Sequence, residues 1–359
     1  MNTHFQKIFN HNKPVIIAGP CSAESEKQVL ATAHELKKHP NLIFRAGIWK
    51  PRTRPNSFEG VGVKGLKWLQ KAKEETGLQT TTEVAKANHV ELAIKHQIDI
   101  LWIGARTTGN PFAVQEIAEA LKGIDVPVFV KNPINPELNL WIGAIERLKD
   151  IGIHDIAAIH RGFFAYKNSK YRNTPQWQIA IDIQKKFPNL PMICDPSHIT
   201  GKRNMIFEVA QKAMDMNYDG LMIESHKDPE NALSDSEQQI TPKDLETILN
   251  KLVIRNHKIE DKDFKSSLQQ LRFQIDDLDI ELLDTLKRRM ELVQKIGSHK
   301  KENKVTILQN DRWSEMLKTR SKYGKENGLS EQFVQQLLKA IHQESIDKQN
   351  NVMNNNDEI

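Results

Sequence analysis

The sequence predicts an α/β protein in which a (β/α)8 barrel is followed by a smaller all-α domain, and two observations support this fold class. Over the first 226 residues, short apolar runs alternate eight times with segments long enough to form a helix, as in a closed barrel of parallel strands. After Pro242 the chain has no proline and only three of its 17 glycines. Because proline and glycine mark turns, the C-terminal part is expected to be almost continuous helix.

Each apolar run ends in a polar or charged residue. The eight predicted strands span residues 14–21, 42–50, 79–83, 100–106, 127–131, 156–161, 191–198 and 220–224. Active sites of (β/α)8 barrels gather at the C-terminal ends of the strands. The residues that end these runs are therefore the candidate site residues.

The predicted domain boundaries follow the distribution of turn residues. The barrel occupies residues 1–253, a charged linker residues 254–265, the helical domain residues 266–352, and a disordered tail residues 353–359. Within the helical domain, apolar residues recur at three- and four-residue steps from Leu268 to Ile296. They predict a first helix of about 35 residues, about 50 Å long. Two further helices are predicted at residues 306–322 and 330–350.

The apolar stripe of the first predicted helix also indicates a partner. A small domain cannot cover so long a stripe with its own residues, and a second copy of the chain is the natural cover. The sequence therefore predicts a homodimer through the helical domain, or a larger homo-oligomer built on it.

Bulk composition excludes several classes of function. No stretch reaches the roughly 20 apolar residues needed to span a bilayer, and residues 1–13 are too polar for a signal peptide. Two cysteines in 359 residues argue against a disulfide framework. The net charge is +5, but aromatics make up only 6% and no Lys/Arg block has aromatics interleaved. We expect a cytoplasmic protein that binds neither membrane nor nucleic acid.

Four residues could form a metal site where the barrel closes. Because strand 8 pairs with strand 1, the ends of strands 7, 8 and 1 are neighbours, and they carry His198, Glu224 and Cys21. Asp235 follows on the loop after strand 8 and can add an oxygen ligand. This donor set suits one divalent ion of the Mn, Fe, Co or Zn group. The alternative is that Cys21 and His198 are a core and a loop residue, as Cys194 within strand 7 is interpreted to be.

Six cationic residues form a second group at the same end of the barrel. Arg45 lies inside strand 2, and the others lie at or just after strand ends: Lys50, Arg52, Arg106, Lys131 and Arg161. Buried cations are costly unless paired, so the group predicts anionic occupants, and arginine favours phosphate and carboxylate. Six cations exceed the needs of one monophosphate and indicate two phosphorylated substrates, or a phosphate and a carboxylate. Salt bridges to helix carboxylates are the alternative, and so is a non-enzymatic anion-binding protein, against which the metal set argues.

Six short motifs carry a family resemblance over about residues 14–250. They are AGPCS at residues 18–22, KPRT at 50–53, IGAR at 103–106, HRG at 160–162, DPSH at 195–198 and IESH at 223–226. Together they resemble the type I synthases of 3-deoxy-D-arabino-heptulosonate 7-phosphate (DAHP), β subgroup. Enzymes of that family condense phosphoenolpyruvate with erythrose 4-phosphate on a TIM barrel, at the start of aromatic amino acid synthesis.

The resemblance implies roles for the barrel residues. It implies that Cys21, His198, Glu224 and Asp235 hold one divalent metal ion, with Mn²⁺ favoured over Fe²⁺, Co²⁺ or Zn²⁺. It gives phosphoenolpyruvate to Arg45, Lys50, Arg106, Lys131 and Arg161, and erythrose 4-phosphate to Lys50, Pro51, Arg52 and Thr53. Lys50 then lies beside both substrates and is the candidate proton donor to the new alkoxide, while Glu83 is a candidate for positioning water.

A sister family that extends arabinose 5-phosphate to an eight-carbon sugar acid is the alternative for the barrel. That family has Lys-Ala-Asn-Arg-Ser where this chain has the sequence KPRTR at residues 50–54. This segment is the reason for preferring the four-carbon sugar.

The cations of the first predicted helix in the C-terminal domain do not share one face. Arg289 and Lys300 are 11 residues apart and point in nearly the same direction, whereas Arg272, 17 residues before Arg289, points about 100° away. Such a helix could serve its own site and a site on a partner. Ser345 and Gln349 stand one turn apart on the last helix. The alternative is that these cations are the solvated edge of the helix.

The helical domain resembles the all-helical chorismate mutases. The matching residues are Leu271-Arg272, Ile275-Asp276, Arg288-Arg289, Gly297 with Lys300, Arg312, and Ser345 with Gln349. The resemblance implies an intertwined three-helix dimer that rearranges chorismate to prephenate without a cofactor. Arg272 would cross to the other subunit's site, Arg289 and Lys300 would stabilise charge on the ether oxygen, and Arg312, Ser345 and Gln349 would bind substrate.

Two residues depart from the mutase pattern. Gln309 stands where the family has Asp, and Trp313 stands where it has the Glu that contacts the substrate hydroxyl. The sequence therefore leaves two hypotheses for this domain. It is a second enzyme, with feedback on the barrel by chorismate or prephenate, or it is a non-catalytic effector-binding and dimerisation unit.

Overall fold

The structure is a computed structural model that describes Phe5, Ile8, Phe9 and residues 13–39, 41–50, 58–166, 169–255 and 261–354. The chain forms two compact units, Met1–His257 and Lys258–Ile359. None of the described helices is long and apolar enough to cross a membrane.

The first unit is built on a closed barrel of eight parallel strands in sequence order. The strands are β1 (Val15–Gly19), β2 (Ile43–Arg45), β3 (Gln79–Val84), β4 (Ile100–Ile103), β5 (Val128–Lys131), β6 (Ile156–His160), β7 (Met192–Cys194) and β8 (Gly220–Glu224). Strand β8 closes the barrel on β1, with Gly19 opposite Glu224. The predicted (β/α)8 fold and all eight strands are confirmed.

Helices connect the strands. They are α1 (Glu26–Leu36), α2 (Val63–Thr76), α3 (Ala87–Lys95), α4 (Ala105–Thr108), α5 (Pro111–Leu121), α6 (Leu138–Asp150), α7 (Trp177–Lys186), α8 (Pro196–Thr200), α9 (Ile206–Asp215) and α10 (Pro242–Lys251). Their starts are set locally: the Ser25 side chain caps α1, and Thr241 and Asp244 form a capping box at α10 with Pro242 in its first turn.

Alternation along the strands divides the apolar core into two layers. Side chains such as Ile17, Trp102 and Phe129 fill the inside of the barrel. Side chains such as Phe44, Leu101 and Val130 pack outward in the cluster that includes helix residues. Cys194 belongs to the outer layer and is fully buried, so its interpretation as a core residue is confirmed.

Three predicted strands extend at least three residues too far. Strand β2 ends at Arg45, β4 at Ile103 and β7 at Cys194. Arg45 is thus the last residue of β2 rather than an interior one. Beyond β7, the side chain of Asp195 accepts the His198 backbone N–H and begins the short helix α8, because an Asp followed by Pro favours a helix start over strand continuation.

The second unit consists of three helices, α11 (Lys262–Glu302), α12 (Asn310–Glu326) and α13 (Glu331–Asn354). The three-helix architecture is as predicted, but the boundaries differ. Helix α11 has 41 residues and begins inside the predicted linker, because Asp261 caps it by accepting from the Phe264 backbone N–H.

The other two helix boundaries also move. Helix α12 begins four residues later than predicted. The Val305 backbone N–H donates to the Lys300 carbonyl, and the Lys300 ammonium donates to the Ile307 carbonyl. These two bonds hold residues 305–307 in a turn. Helix α13 continues to Asn354, so residues 353 and 354 of the predicted tail are helical. Residues 355–359 of that tail lie outside the described residues.

Candidate functional site

Barrel closure brings the four predicted metal ligands to one place. Cys21 follows β1, Glu224 ends β8 and His198 lies in α8 after β7. Ligand atoms of Cys21, Glu224 and Asp235 all lie within 4.8 Å of one another. His198 joins them through Glu224, with Nε2 3.7 Å from Oε1. Residues about 200 apart in sequence thus meet, as the strand order predicts.

Two local features support this geometry. Gly19 has φ +148°, and a Cβ there would lie 2.1 Å from the Arg45 carbonyl oxygen, so only glycine allows β1 and β2 to approach directly below Cys21. Asp235 has φ +47°, a left-handed conformation that Asp tolerates better than most residues. Its Oδ2 lies 3.2 Å from the Cys21 Sγ.

The donor set fits a divalent transition metal ion. The Glu224 side chain is fully buried, yet its Oε1 accepts no hydrogen bond from any described residue. A buried carboxylate oxygen that accepts no hydrogen bond is costly. A metal ion would satisfy it, and the only cation within ion-pair distance of it among the described residues is Arg45, whose Nη2 lies 3.2 Å away. Sulfur, imidazole and carboxylate ligands together favour the Mn-to-Zn group over Mg²⁺ or Ca²⁺.

Protonation follows from burial and from neighbouring charge. Burial, reinforced by Glu224, raises the pKa of the Cys21 thiol to about 12, so a metal ion must displace this proton to bind sulfur. Burial lowers the pKa of His198 although Asp195 and Glu224 oppose it, which favours the neutral, ligating imidazole.

Cationic side chains surround these ligands. The Arg45 guanidinium carbon lies 5.0 Å from the Trp102 ring centroid and its Nη2 3.2 Å from Glu224 Oε1. Arg45 Nε and Nη1 are buried and make no hydrogen bond within the described ranges. Lys131 pairs with Asp195 at 2.7 Å. These groups, with only 1% of Arg45 exposed, form a positively charged floor beside the metal ligands.

Lys50 lies closest to Cys21 among these cations. Its Nζ is 3.0 Å from the Cys21 Sγ and 3.2 Å from the Cys21 carbonyl oxygen. Burial alone would lower the pKa of Lys50, but Cys21 and Glu224 raise it by more, so the ammonium keeps its proton. Strand β2 ends five residues earlier, and Lys50 reaches the site from the loop rather than from a strand end.

The remaining barrel cations differ in surroundings. Arg161 donates to Asn173 Oδ1 at 2.8 Å, and burial lowers its pKa to about 10. Arg106 lies in α4 and is exposed, and its charge contributes to lowering the pKa of Arg161. Pro51, Arg52 and Thr53, the predicted erythrose 4-phosphate residues, lie outside the described residues. Glu83 accepts the Trp102 indole N–H at 3.2 Å.

Sequence reasoning missed the residues that hold the site residues in place. They are Asp195, Arg172, Asn173, Gln238 and Gln239. Asp195 is bound by both Lys131 and His198. The pKa of Asp195 lies well below its usual range because its interactions with these two residues outweigh the effect of burial. The Asp-Pro pair before His198 was a usable signal. The two glutamines lie in a loop with no pattern that marks them.

A cavity of about 820 Å³ lies at the opposite end of the barrel from the metal ligands. Its lining includes Phe5, Phe9, Phe187 and Lys186 and none of the predicted site residues. A second cavity of about 470 Å³ borders the candidate metal ligands and is lined in part by Arg172, Asp235 and Gln238. The candidate site therefore coincides with the second cavity and not with the first.

The helical unit brings only part of its predicted site together. Arg289 donates to Ser345 Oγ at 2.6 Å, and burial lowers the pKa of Arg289. Gln349 is buried, and its Oε1 makes no hydrogen bond within the described part of the chain. A Cβ on Gly297 would lie 3.3 Å from Gln349 Cα, so this glycine allows α11 and α13 to pack closely.

The other predicted residues of the helical unit lie apart from this group. Lys300 donates to the Ile307 carbonyl at 2.6 Å. Arg312 is exposed and pairs with Glu315 on its own helix at 2.8 Å. Arg272 is exposed. Trp313, one of the two departures from the mutase pattern, stacks on His342 with ring centroids 3.9 Å apart.

Comparison with known families matches each unit to one family. Residues 5–260 match the DAHP synthetase I family, and residues 271–350 match chorismate mutase type II. The two matches correspond to the barrel unit and the helical unit.

Similar proteins share the barrel. A phospho-2-dehydro-3-deoxyheptonate aldolase of Thermotoga maritima is 32% identical over 225 residues, covering 63% of this chain and 64% of that protein. A 2-dehydro-3-deoxyphosphooctonate aldolase of Caulobacter vibrioides is 26% identical over 272 residues, covering 69% of this chain and 89% of that protein. The crystal structure of a Thermotoga maritima DAHP synthase superposes with a TM-score of 0.60 at 30% identity, covering 66% and 67% of the two chains.

Proposed function

Because the chain belongs to the DAHP synthetase I family, we propose that its barrel condenses phosphoenolpyruvate with erythrose 4-phosphate to form DAHP and phosphate. The observation that supports this most is the meeting of Cys21, His198, Glu224 and Asp235 at the barrel closure, beside a floor of buried cations. The metal ligands suit the carbonyl chemistry, and the cations suit two phosphorylated, anionic substrates.

The barrel residues have different proposed roles, which follow from their charge and their position. Arg45, Arg106, Lys131 and Arg161 bind the phosphate and carboxylate of phosphoenolpyruvate, with Lys131 held by Asp195 at 2.7 Å. A divalent ion, Mn²⁺ by preference, supplies Lewis-acid activation of the sugar aldehyde when bound. Lys50 keeps its proton and donates it to the alkoxide that forms when C3 of phosphoenolpyruvate attacks the aldehyde. Water then adds at C2, and phosphate leaves.

The sister reaction on arabinose 5-phosphate is the second candidate for the barrel. Similarity to proteins named 2-dehydro-3-deoxyphosphooctonate aldolase favours it, whereas the segment KPRTR at residues 50–54 favours the four-carbon sugar. In competition assays, erythrose 4-phosphate should have the higher kcat/KM by at least about tenfold, about 1.4 kcal/mol of transition-state preference. Equal or reversed preference would assign the sister reaction.

The helical unit is proposed to be a chorismate mutase. Support comes from the match to chorismate mutase type II and from Arg289, Ser345 and Gln349, which cluster where α11 packs on α13. Cations that are only partly hydrated can bind the two carboxylates of chorismate and stabilise charge on its ether oxygen. If the purified chain converts no chorismate, the unit is a non-catalytic effector-binding domain instead.

The mutase proposal includes a homodimer. The stripe on α11 is largely exposed over its N-terminal half: Leu271, Ile275 and Leu278 are 55%, 56% and 61% exposed. Such a contiguous apolar patch is typical of a protein interface. A second copy would cover it and bring in Arg272, the cation that lies away from the Arg289 cluster.

Feedback regulation is the last part of this proposal. The first and a later reaction of one pathway share a chain, so chorismate or prephenate bound at the Arg289 cluster is proposed to inhibit the barrel. Synthase activity should fall when prephenate is added, and the Arg289→Ala variant should resist this inhibition. We place both reactions in the cytoplasm, since both cysteines are free thiols.

A further inference from the structure

Three of the four candidate metal ligands have one polar atom held by a protein group that is not itself a ligand. His198 Nδ1 lies 2.8 Å from Asp195 Oδ2. Glu224 Oε2 accepts the Gln238 side-chain N–H at 2.7 Å. Asp235 Oδ1 accepts from Arg172 Nη1 at 2.9 Å. Each of these three ligands therefore has one atom held by an outer residue and a second atom that faces the other ligands.

The atoms left over are the ones that converge. They are His198 Nε2, Glu224 Oε1, Asp235 Oδ2 and the Cys21 sulfur. The first two lie 3.7 Å apart, and the last two lie 3.2 Å apart. Glu224 Oε1 accepts no hydrogen bond in the part of the chain that the structure describes. The outer partners thus select which atom of each side chain faces the site.

Gln238 is linked to both carboxylates: it bonds Glu224 directly, and it bonds Arg172, which in turn bonds Asp235. Its Nε2 donates to Glu224, and its Oε1 accepts from the same Arg172 nitrogen that holds Asp235, at 2.6 Å. Only 1% of Gln238 is exposed, and its bond to Glu224 is buried, so water does not compete for that bond.

Neighbouring hydrogen bonds fix the loop that carries Gln238. The Ile240 backbone N–H donates to the Glu224 carbonyl at 3.0 Å, and Gln239 Oε1 accepts the Cys21 backbone N–H at 2.8 Å. The loop on which Gln238 lies is therefore fixed to both β8 and the segment after β1. The Gln238 amide has one orientation that satisfies Glu224 and Arg172 together.

We propose that Gln238 is a positioning residue that restricts Glu224, and through Arg172 also Asp235, to binding a metal ion through one oxygen each. The inference rests on the proposed metal site. A carboxylate with both oxygens free can bind through both, which favours larger, oxygen-preferring ions. Restricting both carboxylates limits the protein to four ligand atoms and leaves coordination positions for substrate.

Replacement of Gln238 by methionine tests this directly. Gln238→Met keeps the length of the side chain but removes both hydrogen bonds. In Co²⁺-loaded protein, the visible absorption should lose intensity, because the coordination number rises when Glu224 binds through both oxygens. Affinity for Zn²⁺ should fall by about 10- to 100-fold and affinity for Ca²⁺ should rise. Gln178→Met, at an exposed glutamine on α7 that bonds Asp182, is the matched control and should leave both readouts unchanged.

Each outcome decides the question. A Gln238→Met protein with the wild-type Co²⁺ spectrum and wild-type metal affinities overturns the inference while leaving the metal site in place. Wild-type protein that binds no Co²⁺ overturns the metal site itself, and the inference with it. If Gln238→Met does not fold, Arg172→Met at the half-exposed rim frees Asp235 alone and should shift the Co²⁺ spectrum in the same direction, and an unchanged spectrum in that variant overturns the inference.

Discussion

The two units hold their charged site residues in opposite environments. In the barrel, four nearly or fully buried residues form two ion pairs, Arg45 with Glu224 and Lys131 with Asp195. In the helical unit, Arg272 and Arg312 are exposed, and apolar side chains such as Leu278 are 61% exposed. Burying a charge requires a pre-formed set of partners, which the closed barrel supplies from one chain.

The difference in burial indicates which of the two sites depends on a second copy of the chain. Closure of β8 on β1 makes neighbours of residues far apart in sequence, so the candidate metal ligands of the barrel come together within one chain. An isolated three-helix chain leaves one face of its longest helix bare. The helical site is therefore expected to form only when a second copy adds Arg272, and the following changes test that difference.

Loss of either arginine of the helical unit should have the largest effect. Arg289→Ala and Arg272→Ala should each reduce mutase kcat/KM by about 10²–10³-fold, since each removes a cation that stabilises the transition state. Synthase activity, measured on the same samples, should persist.

Mixing the two variants distinguishes a shared site from a site within one chain. In mixed dimers, one of the two sites receives both arginines, so mutase activity should reappear once subunits exchange. No gain above either single variant, with exchange verified by mass spectrometry of differently labelled chains, would mean that each helix serves its own chain.

The second-largest effect is expected from a charge placed on the exposed apolar stripe of α11, which should weaken the dimer and lower mutase activity. Leu278→Glu forfeits the burial of a leucine, about 1.5–3 kcal/mol on each side of a symmetric dimer, so dimer affinity should fall by at least about 100-fold. Analytical ultracentrifugation measures this, and mutase activity should decline with dimer content. Phe112→Glu, at a barrel side chain that is 87% exposed, is the matched control and should leave the oligomer unchanged.

Removing Asn173 should have a smaller effect that is confined to the barrel. Asn173 accepts from Arg161 at 2.8 Å and donates to the His198 carbonyl at 2.6 Å. Asn173→Ala should raise the KM for phosphoenolpyruvate by about tenfold, the value of one charge-assisted hydrogen bond, with mutase kinetics unchanged. An unchanged KM in steady-state assays would show that Arg161 needs no such support.

The change with the smallest expected effect on either activity concerns the stability of the barrel at low pH. Burial lowers the pKa of His160 to about 4, below its ordinary value of about 6.5. Between pH 6.5 and pH 4, His160 is therefore protonated in the unfolded chain but neutral in the folded chain. His160 contributes stability that is fully present above pH 6.5 and is lost as pH falls to 4, by about 3 kcal/mol at most.

The pH effect is measured as a difference of melting temperatures. His160 Nε2 donates to the Pro175 carbonyl at 2.6 Å, and Nδ1 lies 2.9 Å from the Tyr218 hydroxyl. His160→Gln should show a smaller difference in Tm between pH 7.5 and pH 5 than wild type, whatever its absolute Tm. An equal difference would assign the pH dependence to other groups, such as His89, whose pKa burial also lowers to about 4.

Much of the fold and the metal ligands could be predicted from the sequence, for a physical reason. Strand–helix alternation predicts a closed barrel, and closure fixes which strand ends are neighbours, so the proximity of Cys21, His198 and Glu224 followed from strand order. Their role as metal ligands stays a prediction. The lengths of the strands could not be predicted from this alternation, because a single hydrogen bond from a capping residue such as Asp195 can end a strand and begin a helix.

The supporting side chains could not be predicted. Gln238 and Asn173 act through distances to single atoms on other loops, and nothing in their sequence neighbourhood specifies those distances. The start of α11 at Lys262 was missed because a charged segment was interpreted as a linker, whereas Asp261 caps the helix. Erythrose 4-phosphate recognition by Arg52 and Thr53 stays a prediction, since these residues lie outside the described residues.

Removal of divalent metal tests most directly the claim that one chain carries a metal-dependent barrel site and a metal-free helical site. Purified protein is treated with a chelator, and both reactions are followed before and after addition of Mn²⁺. Synthase activity should vanish and return with Mn²⁺ in wild type but not in Cys21→Ala, while mutase activity stays constant throughout. Full synthase activity in chelator, or a mutase that fails with it, would contradict this division of chemistry between the two units.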